Sequence, residues 1–500
     1  MPRYAYERLS AQDQSFLAFE TRNLHMHVAA TQIYEAGDLA TEAGGVDFQK
    51  YKQATEAVLH LVPRYRQKLK WIPLENRAVW VDDRHFNLDY HIRHTSLPRP
   101  GDMDQLARLS QRIMSQPLDR SRPLWEIWVV EGLTDNRFAV ITKIHHCMID
   151  GASGVDLSMI LMSPTPNREV HDPVPYIPRP VPSTYELLRD EMLDRVTAPV
   201  QLARGIRKFA TETEDLRTEV GIRVKAVQQL VGWAVRGASE TPINGPVGPH
   251  RRFDWLTMEL EDIKAIRRKL GCTVNDIVLA TVSGAVRNYL MRRRVDPSDL
   301  DFRTSAPVSV RREEDRGKLG NNVSSWIIRL PIGEADPIRR IEAIHETTQD
   351  LKRSKQALGV EMMMAAAEWA PSSLLSLGAQ AASGPINMIV TNVPGPQFPL
   401  YMLGAKLEAI YPVVPLLENM GLGVALMSYD GKVCWGFNAD YELVPDLPSF
   451  VLLIEQSFRE IQEAVSVREV RPLDETAPTK AASTQETPSQ TPRSSTAGRG

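Results

Sequence analysis

A strand that ends in two adjacent histidines constrains this chain more than any other stretch. Its residues, 138–144, form a short apolar run bounded by polar turns, which is typical of a strand in a protein core. His145 and His146 follow directly, and Asp150 and Gly151 then interrupt the chain before a second apolar period begins. Functional side chains are common on the loops that follow such strands. The pattern therefore predicts a mixed α/β fold with a candidate site at the end of this strand.

The two histidines are expected to have different surroundings. Successive side chains of a strand point to opposite faces, so one ring can face a cavity while the other is packed inside. The same geometry disfavours a shared metal ion, because both imidazoles would have to converge on it. A neutral histidine, with an ordinary pKa of about 6.5, can accept and return a proton near neutral pH. The pair therefore indicates acid–base chemistry, with two purely structural histidines as the alternative.

Composition excludes several other classes of function. The chain has 500 residues, which favours two or three domains, and 43% hydrophobic residues can fill their cores. A net charge of −3 gives no case for nucleic acid binding. The three cysteines have no CxxC spacing, so neither a disulfide framework nor a zinc ribbon is indicated. The N-terminus lacks a signal peptide's apolar core and no apolar stretch reaches membrane-spanning length, so we expect a soluble or peripheral intracellular protein.

The segment His145-His146-x-x-x-Asp150-Gly151 matches the HHxxxDG motif of acyl-CoA-dependent acyltransferases. In particular, the chain resembles the bacterial wax ester synthase/diacylglycerol acyltransferase family. The shorter HxxxD core also occurs in chloramphenicol acetyltransferase, plant acyltransferases and nonribosomal peptide condensation domains, so alone it indicates only the superfamily. Further segments match the family in the right order, over roughly residues 4 to 467: Asp13-x-x-Phe16 with Met26-His27-Val28, Pro123-Leu124-Trp125, Asn275-Asp276, and Asn392-Val393-Pro394-Gly395-Pro396.

The resemblance implies two chloramphenicol-acetyltransferase-like domains of mixed α/β architecture, with the active site at their interface. Composition places an N-terminal domain at residues 1–163, a proline-rich and helical linker at 164–250 and a C-terminal domain at 251–467. The tail, 468–500, is expected to be disordered because it cannot bury enough apolar surface to order itself. The linker's basic amphipathic helices would suit an anionic membrane surface, and an ordinary packed linker is the alternative.

The resemblance and the chemistry converge on His146 as the general base. It would remove the proton of an acceptor hydroxyl while that oxygen attacks the thioester carbonyl of acyl-CoA. His145 would support the turn. Acyl-CoA is a co-substrate, and no further cofactor and no metal is implied, because a thioester is already activated.

Three other residues are assigned roles around this base. In enzymes with the HxxxD motif, the resemblance implies, Asp150 pairs with an arginine and braces the turn, and Arg311 is the candidate partner. Asn275 is a candidate active-site contact that could donate to the developing oxyanion. Asp276, in Thr273-x-x-Asp276, is placed to cap a helix.

Cys147 raises a rival mechanism, because a thiolate beside an imidazole could form an acyl-enzyme. Cys147 is expected on the face of His145, away from His146, so a small buried apolar role is favoured. Pro123-Leu124-Trp125 is interpreted as scaffold, and His27 as structural.

The expected function is transfer of a long-chain acyl group to diacylglycerol, giving triacylglycerol, or to a fatty alcohol, giving wax ester, or both. The methionine run 362–364 would suit an apolar channel, with a core helix as the alternative. Rival functions are another HxxxD reaction, on a small metabolite alcohol or a carrier-bound substrate, and a non-catalytic lipid-surface protein. The insolubility of the products suggests a cytoplasmic protein that is peripheral on the inner face of the membrane or on lipid inclusions.

Overall fold

The computed structural model describes residues 6–42, 45–73, 77–149, 160–166, 169–193, 237–309, 323–353 and 386–467. The helices are α1 Ala11–Phe19, α2 Phe48–Val58, α3 Leu88–His91, α4 Met103–Met114, α5 Leu260–Leu270, α6 Val274–Arg292, α7 Pro337–Arg353 and α8 Leu447–Val467. Residues 184–193 are also helical.

The strands form three sheets. In chain order they are β1 Glu7–Arg8, β2 His27–Glu35, β3 Gln67–Ile72, β4 Arg77–Asp82, β5 Ile92–Ser96, β6 Trp125–Glu131, β7 Arg137–His145, β8 Met162–Ser163, β9 Arg251–Glu259, β10 Arg303–Ser309, β11 Val323–Arg329, β12 Met388–Pro394, β13 Tyr401–Met402, β14 Ala405–Val413, β15 Leu422–Tyr429 and β16 Lys432–Asp440. A seven-stranded sheet has the order β5-β6-β7-β2-β14-β13-β8, a six-stranded sheet the order β11-β10-β12-β15-β16-β9, and a small sheet the order β1-β4-β3. The two large mixed sheets, with helices packed on them, confirm the predicted α/β class.

Strand β14 crosses from the C-terminal half of the chain into the N-terminal sheet. It pairs antiparallel with β2, with Ile410 opposite Gln32 and Tyr411 opposite Thr31. The sequence predicts these residues within the C-terminal domain, because an apolar strand carries no signal of which sheet it joins. A shared apolar cluster in which Ile33 of β2 and Cys434 of β16 take part lies between the two sheets. The two halves are therefore joined by a sheet and a core, as well as by the chain.

Strand β7, which ends at His145, is an interior strand of the N-terminal sheet. It pairs antiparallel with β6 on one side and with β2 on the other, so its residues 138–145 are buried. A hairpin turn joins β6 to β7. In it Asp135 and Asn136 have φ values of 61° and 53°, a left-handed region that these two residue types tolerate. Trp125 of β6 is 1% exposed, and its indole nitrogen donates to the Tyr65 carbonyl at 2.8 Å, which confirms the scaffold role of that segment.

Helix α6 begins where the sequence predicts a cap. The Thr273 hydroxyl accepts a hydrogen bond from the Asp276 amide at 3.1 Å, and the Asp276 carboxylate accepts one from the Thr273 amide at 2.9 Å. This reciprocal pair satisfies two amides that a helix start leaves without partners. Helix α6 packs against α7 and α8 over the six-stranded sheet, in the largest apolar cluster of the C-terminal half.

Candidate functional site

His146, the second histidine of the pair, begins a short 3-10 turn, His146–Met148, directly after β7. The backbone amide of His146 donates to the Met26 carbonyl at 2.7 Å, and that of His145 donates to the Leu124 carbonyl at 2.9 Å. The start of this turn is therefore held by hydrogen bonds to residues next to both neighbouring strands. The two rings have different surroundings, as predicted: His145 is 1% exposed, whereas His146 is partly exposed.

The His146 ring stacks on Phe16 of α1. The two ring centroids are 3.8 Å apart and the planes meet at 26°. His146 Nδ1 is buried and has no hydrogen-bond partner among the described residues. Burial lowers the pKa of His146 to about 4. The imidazole is therefore neutral at neutral pH, which is the form that can accept a proton.

His145 is held between a backbone amide and a carboxylate. Its Nδ1 accepts a hydrogen bond from the Cys147 amide at 3.1 Å, and its Nε2 lies 3.2 Å from Glu20 Oε1. The Glu20 carboxylate also lies 3.7 Å from His27 Nε2 and pairs with Arg120. Burial alone would raise the pKa of Glu20, but His145, Arg120 and His27 outweigh it and hold that pKa well below its usual range. Glu20 is therefore ionised, and its carboxylate lies beside both His145 and His27.

His27 lies directly opposite His145 across β2 and β7. Their ring centroids are 5.8 Å apart, and burial lowers the pKa of His27 well below its ordinary value. The sequence indicates no partner for His27 and no role for Glu20. Both residues lie within or beside the N-terminal segments that match the family, which is the one sequence signal for a role in the site. Nothing in their spacing links them to His145.

Cys147 occupies the buried apolar position that was predicted for it. It is 1% exposed within the N-terminal apolar cluster. Burial, with the nearby charges of Asp13 and Glu20, raises the pKa of its thiol well above the ordinary value. A thiol that stays protonated is a poor nucleophile, so an acyl-enzyme on Cys147 is disfavoured.

Asn275 lies at an open cleft of about 380 Å³ on the C-terminal sheet. Asn275 lines this cleft together with Arg267, Asn392 and Ser428. Asn392 begins the family segment at residues 392–396. The structure therefore brings this segment and the Asn275-Asp276 segment together. The role of Asn275 as an oxyanion donor stays a prediction.

Asp276 points away from solvent, into a buried polar network. It is 0% exposed, and its carboxylate lies 2.8 Å from His345 Nδ1 and accepts a hydrogen bond from the Thr348 hydroxyl at 2.9 Å. With the bond from the Thr273 amide, three groups hold this side chain. The predicted cap is confirmed, and its anchoring to α7 is an addition that the sequence did not indicate.

Several predicted features lie outside the described residues. These are Asp150, Arg311, the methionine run 362–364, most of the linker helices (194–236) and the tail 468–500. The proposed pairing of Asp150 with Arg311 therefore stays a prediction. Within the described ranges, no group of three or more His, Cys, Asp or Glu side chains is arranged to hold a metal ion.

Comparison with known families covers both halves of the chain. The family model for the wax ester synthase/diacylglycerol acyltransferase catalytic domain matches residues 9–278, and the model for the C-terminal domain of the same family matches residues 319–462. The chain belongs to this family. The resemblance drawn from the separate sequence motifs is thereby confirmed.

Individual members of the family match over almost their whole length. Two probable diacylglycerol O-acyltransferases of Mycobacterium tuberculosis are 30% identical over 470 residues and 32% identical over 465 residues. These matches cover 90% and 91% of this chain, and 94% and 98% of the relatives.

Solved structures support the same fold. The wax ester synthase/diacylglycerol acyltransferase from Marinobacter aquaeolei VT8 aligns with a TM-score of 0.63 and 25% identity, over 92% of this chain and 100% of that one. The starter condensation domain of rhizomide synthetase aligns with a TM-score of 0.56 over 93% of this chain and 96% of its own, and at 13% identity it supports the fold alone.

Proposed function

We propose that this protein transfers a long-chain acyl group from acyl-CoA to the hydroxyl of diacylglycerol, of a fatty alcohol, or of both, with His146 as the general base. The observation that carries the proposal is the neutral, partly exposed His146 ring at the end of β7. Membership of the family, whose relatives are named diacylglycerol O-acyltransferases, supports the donor and acceptor classes.

The proposed reaction is a direct transfer in two steps. Because His146 Nδ1 is buried, we assign the accepting role to Nε2. Nε2 takes the proton of the acceptor hydroxyl as its oxygen bonds to the thioester carbonyl carbon. The carbon–sulfur bond then breaks, and the imidazolium returns the proton to the CoA thiolate. A well-placed general base contributes about 10²- to 10⁴-fold, so orientation and oxyanion stabilisation must supply much of the remaining acceleration.

The proposal includes contact with a lipid surface, since the acceptors and products are insoluble in water. None of the described helices is long and apolar enough to cross a membrane. Large apolar side chains are nevertheless exposed in the first part of the linker, before its basic segment: Ile177 is 83% exposed, Tyr185 74% and Met192 69%. Such side chains beside a basic segment favour peripheral binding at a lipid surface.

The test is release of CoA from palmitoyl-CoA by the purified protein, with hexadecanol and dioleoylglycerol offered separately. We expect acceptor-dependent release, with formation of the matching ester, and its loss in His146→Ala. His60→Ala is the matched control, because His60 is exposed and its ring nitrogen bonds the nearby Ala57 carbonyl. Unchanged turnover in His146→Ala would overturn the assignment of the base. If neither hexadecanol nor dioleoylglycerol supports CoA release, the proposed acceptor class is wrong.

A further inference from the structure

We infer that Glu20, the residue directly after α1, is a positioning residue of the transfer reaction and acts on His146 through His145. This inference rests on the proposed role of His146. Among the described residues, Glu20 makes no hydrogen bond or ion pair with His146. Its effect on the base runs through two short chains of hydrogen bonds and ion pairs.

The first chain fixes the tautomer of His145. A neutral imidazole has one N–H donor and one acceptor nitrogen. Since Nδ1 accepts the Cys147 amide at 3.1 Å, the proton must lie on Nε2, the nitrogen that lies 3.2 Å from Glu20 Oε1. An ionised carboxylate at that position stabilises the Nε2–H form. The other tautomer would aim an N–H at the Cys147 N–H and would face the carboxylate with a lone pair.

The tautomer matters because the Cys147 amide belongs to the turn that carries the base. His145 Nδ1 satisfies an amide at the start of the turn, and the Ile149 amide closes it on the His146 carbonyl at 3.1 Å. If His145 changed tautomer, the Cys147 amide would lose its partner in a buried place. An unpaired buried amide is costly, so the turn would shift to pair it, and His146 would move with the turn.

The second chain runs through the backbone of Met26. Glu20 Oε1 accepts a hydrogen bond from the Met26 amide at 3.0 Å, and the Met26 carbonyl accepts the His146 amide at 2.7 Å. The same residue therefore joins Glu20 to the backbone of the base. Arg120 pairs with the other oxygen of the carboxylate, so the charge is balanced where it is buried.

The test compares kcat and KM in Glu20→Gln. This variant keeps an oxygen beside the Met26 amide and His145 Nε2, but it removes the charge that stabilises the Nε2–H tautomer. We expect kcat to fall about 10- to 100-fold, as it does when a partner that orients a metal-binding histidine is removed. KM for palmitoyl-CoA and for the acceptor should stay within about twofold of wild type, because Glu20 touches neither substrate in the proposal. Glu418→Gln, at an exposed position, is the matched control.

A double-mutant cycle separates positioning from general stabilisation. His145→Asn places an amide oxygen near the former Nδ1, so it can still accept the Cys147 amide, but it no longer reaches Glu20. In that background, Glu20→Gln should lower kcat less than about twofold, because the route through His145 is already cut. If the losses in kcat of the two single variants multiply in the double variant, Glu20 acts independently of His145 and the inference is wrong.

The outcomes distinguish this inference from the proposed function. If His146→Ala is inactive while Glu20→Gln keeps its full kcat, the positioning role is wrong and the base assignment stands. If His146→Ala is fully active, the base assignment itself fails. Should Glu20→Gln not fold, Glu20→Asp keeps the charge but is one methylene shorter, and the same loss of kcat at constant KM is expected from it.

Discussion

Phe16 of α1 lies face to face with His146, with 3.8 Å between the ring centroids, and Glu20 directly follows the last residue of the same helix. The end of α1 therefore contacts both histidines at once, with an aromatic face on His146 and a carboxylate on His145. A helix near the N-terminus thus becomes part of a site whose motif lies more than a hundred residues further along the chain.

Phe16→Leu is expected to move the acidic limb of the pH–activity profile. In the wild type, burial lowers the pKa of His146 to about 4, from an ordinary value of 6.5. Without the aromatic face, water reaches the ring and the pKa rises toward its ordinary value. Because the base must be neutral, kcat/KM of the variant should begin to fall at a higher pH than that of the wild type. An acidic limb at the same pH in both proteins would show that Phe16 does not shield the ring.

Cys147→Ala is expected to retain turnover within about threefold, since the thiol is buried and its raised pKa keeps it protonated. Stability should fall modestly, because a small apolar contact is lost. The measurements are CoA release and intact-protein mass spectrometry after mixing with palmitoyl-CoA. An acyl adduct on the wild type, together with an inactive Cys147→Ala, would replace direct transfer by an acyl-enzyme.

Thr348→Val should destabilise the C-terminal half by about 1–3 kcal/mol, because it removes one donor from a buried carboxylate and leaves the shape unchanged. The lost bond is the one from the Thr348 hydroxyl to Asp276 Oδ1, at 2.9 Å. Thr347→Val is the matched control on the same helix: its hydroxyl donates to the Ala343 carbonyl, away from this network. Urea denaturation followed by tryptophan fluorescence measures both. Equal shifts in the two variants would contradict the importance of the network.

His91 should make the protein less stable as the solution is acidified. Burial lowers the pKa of His91 to about 4, and its Nδ1 contacts the Trp125 carbonyl at 2.8 Å. The pKa of His91 in the folded protein is below its unfolded value of about 6.5. The stability that neutral His91 contributes is therefore fully present above pH 6.5 and is lost progressively between pH 6.5 and pH 4. At pH 5 the loss from this one group is about 2 kcal/mol.

The measurement is the urea midpoint at pH 7 and at pH 5 for wild type and His91→Asn, in which an amide replaces the ring nitrogen near Trp125. The acid-induced drop should be smaller in the variant, and His60→Asn, at an exposed position, should behave as wild type. A drop of the same size in His91→Asn would show that His91 does not titrate with unfolding.

The sequence by itself determined the features that depend on neighbours along the chain. The alternation of side chains separated His145 from His146, the Asp135-Asn136 turn fixed the hairpin before them, and Thr273 fixed the start of α6. Each of these is a local backbone preference, so a few adjacent residues contain the whole signal. The order of the family segments then indicated the fold and the candidate base.

Only the tertiary structure decided which distant groups meet. Glu20 lies beside His145, His345 lies against Asp276, and Ile410 pairs with Gln32, and in each case the partners are far apart in the sequence. A buried carboxylate beside an imidazole, or a strand joined to the other half's sheet, depends on how whole helices and sheets pack. No periodicity along the chain encodes that choice, because packing joins surfaces whose residues are not neighbours in sequence.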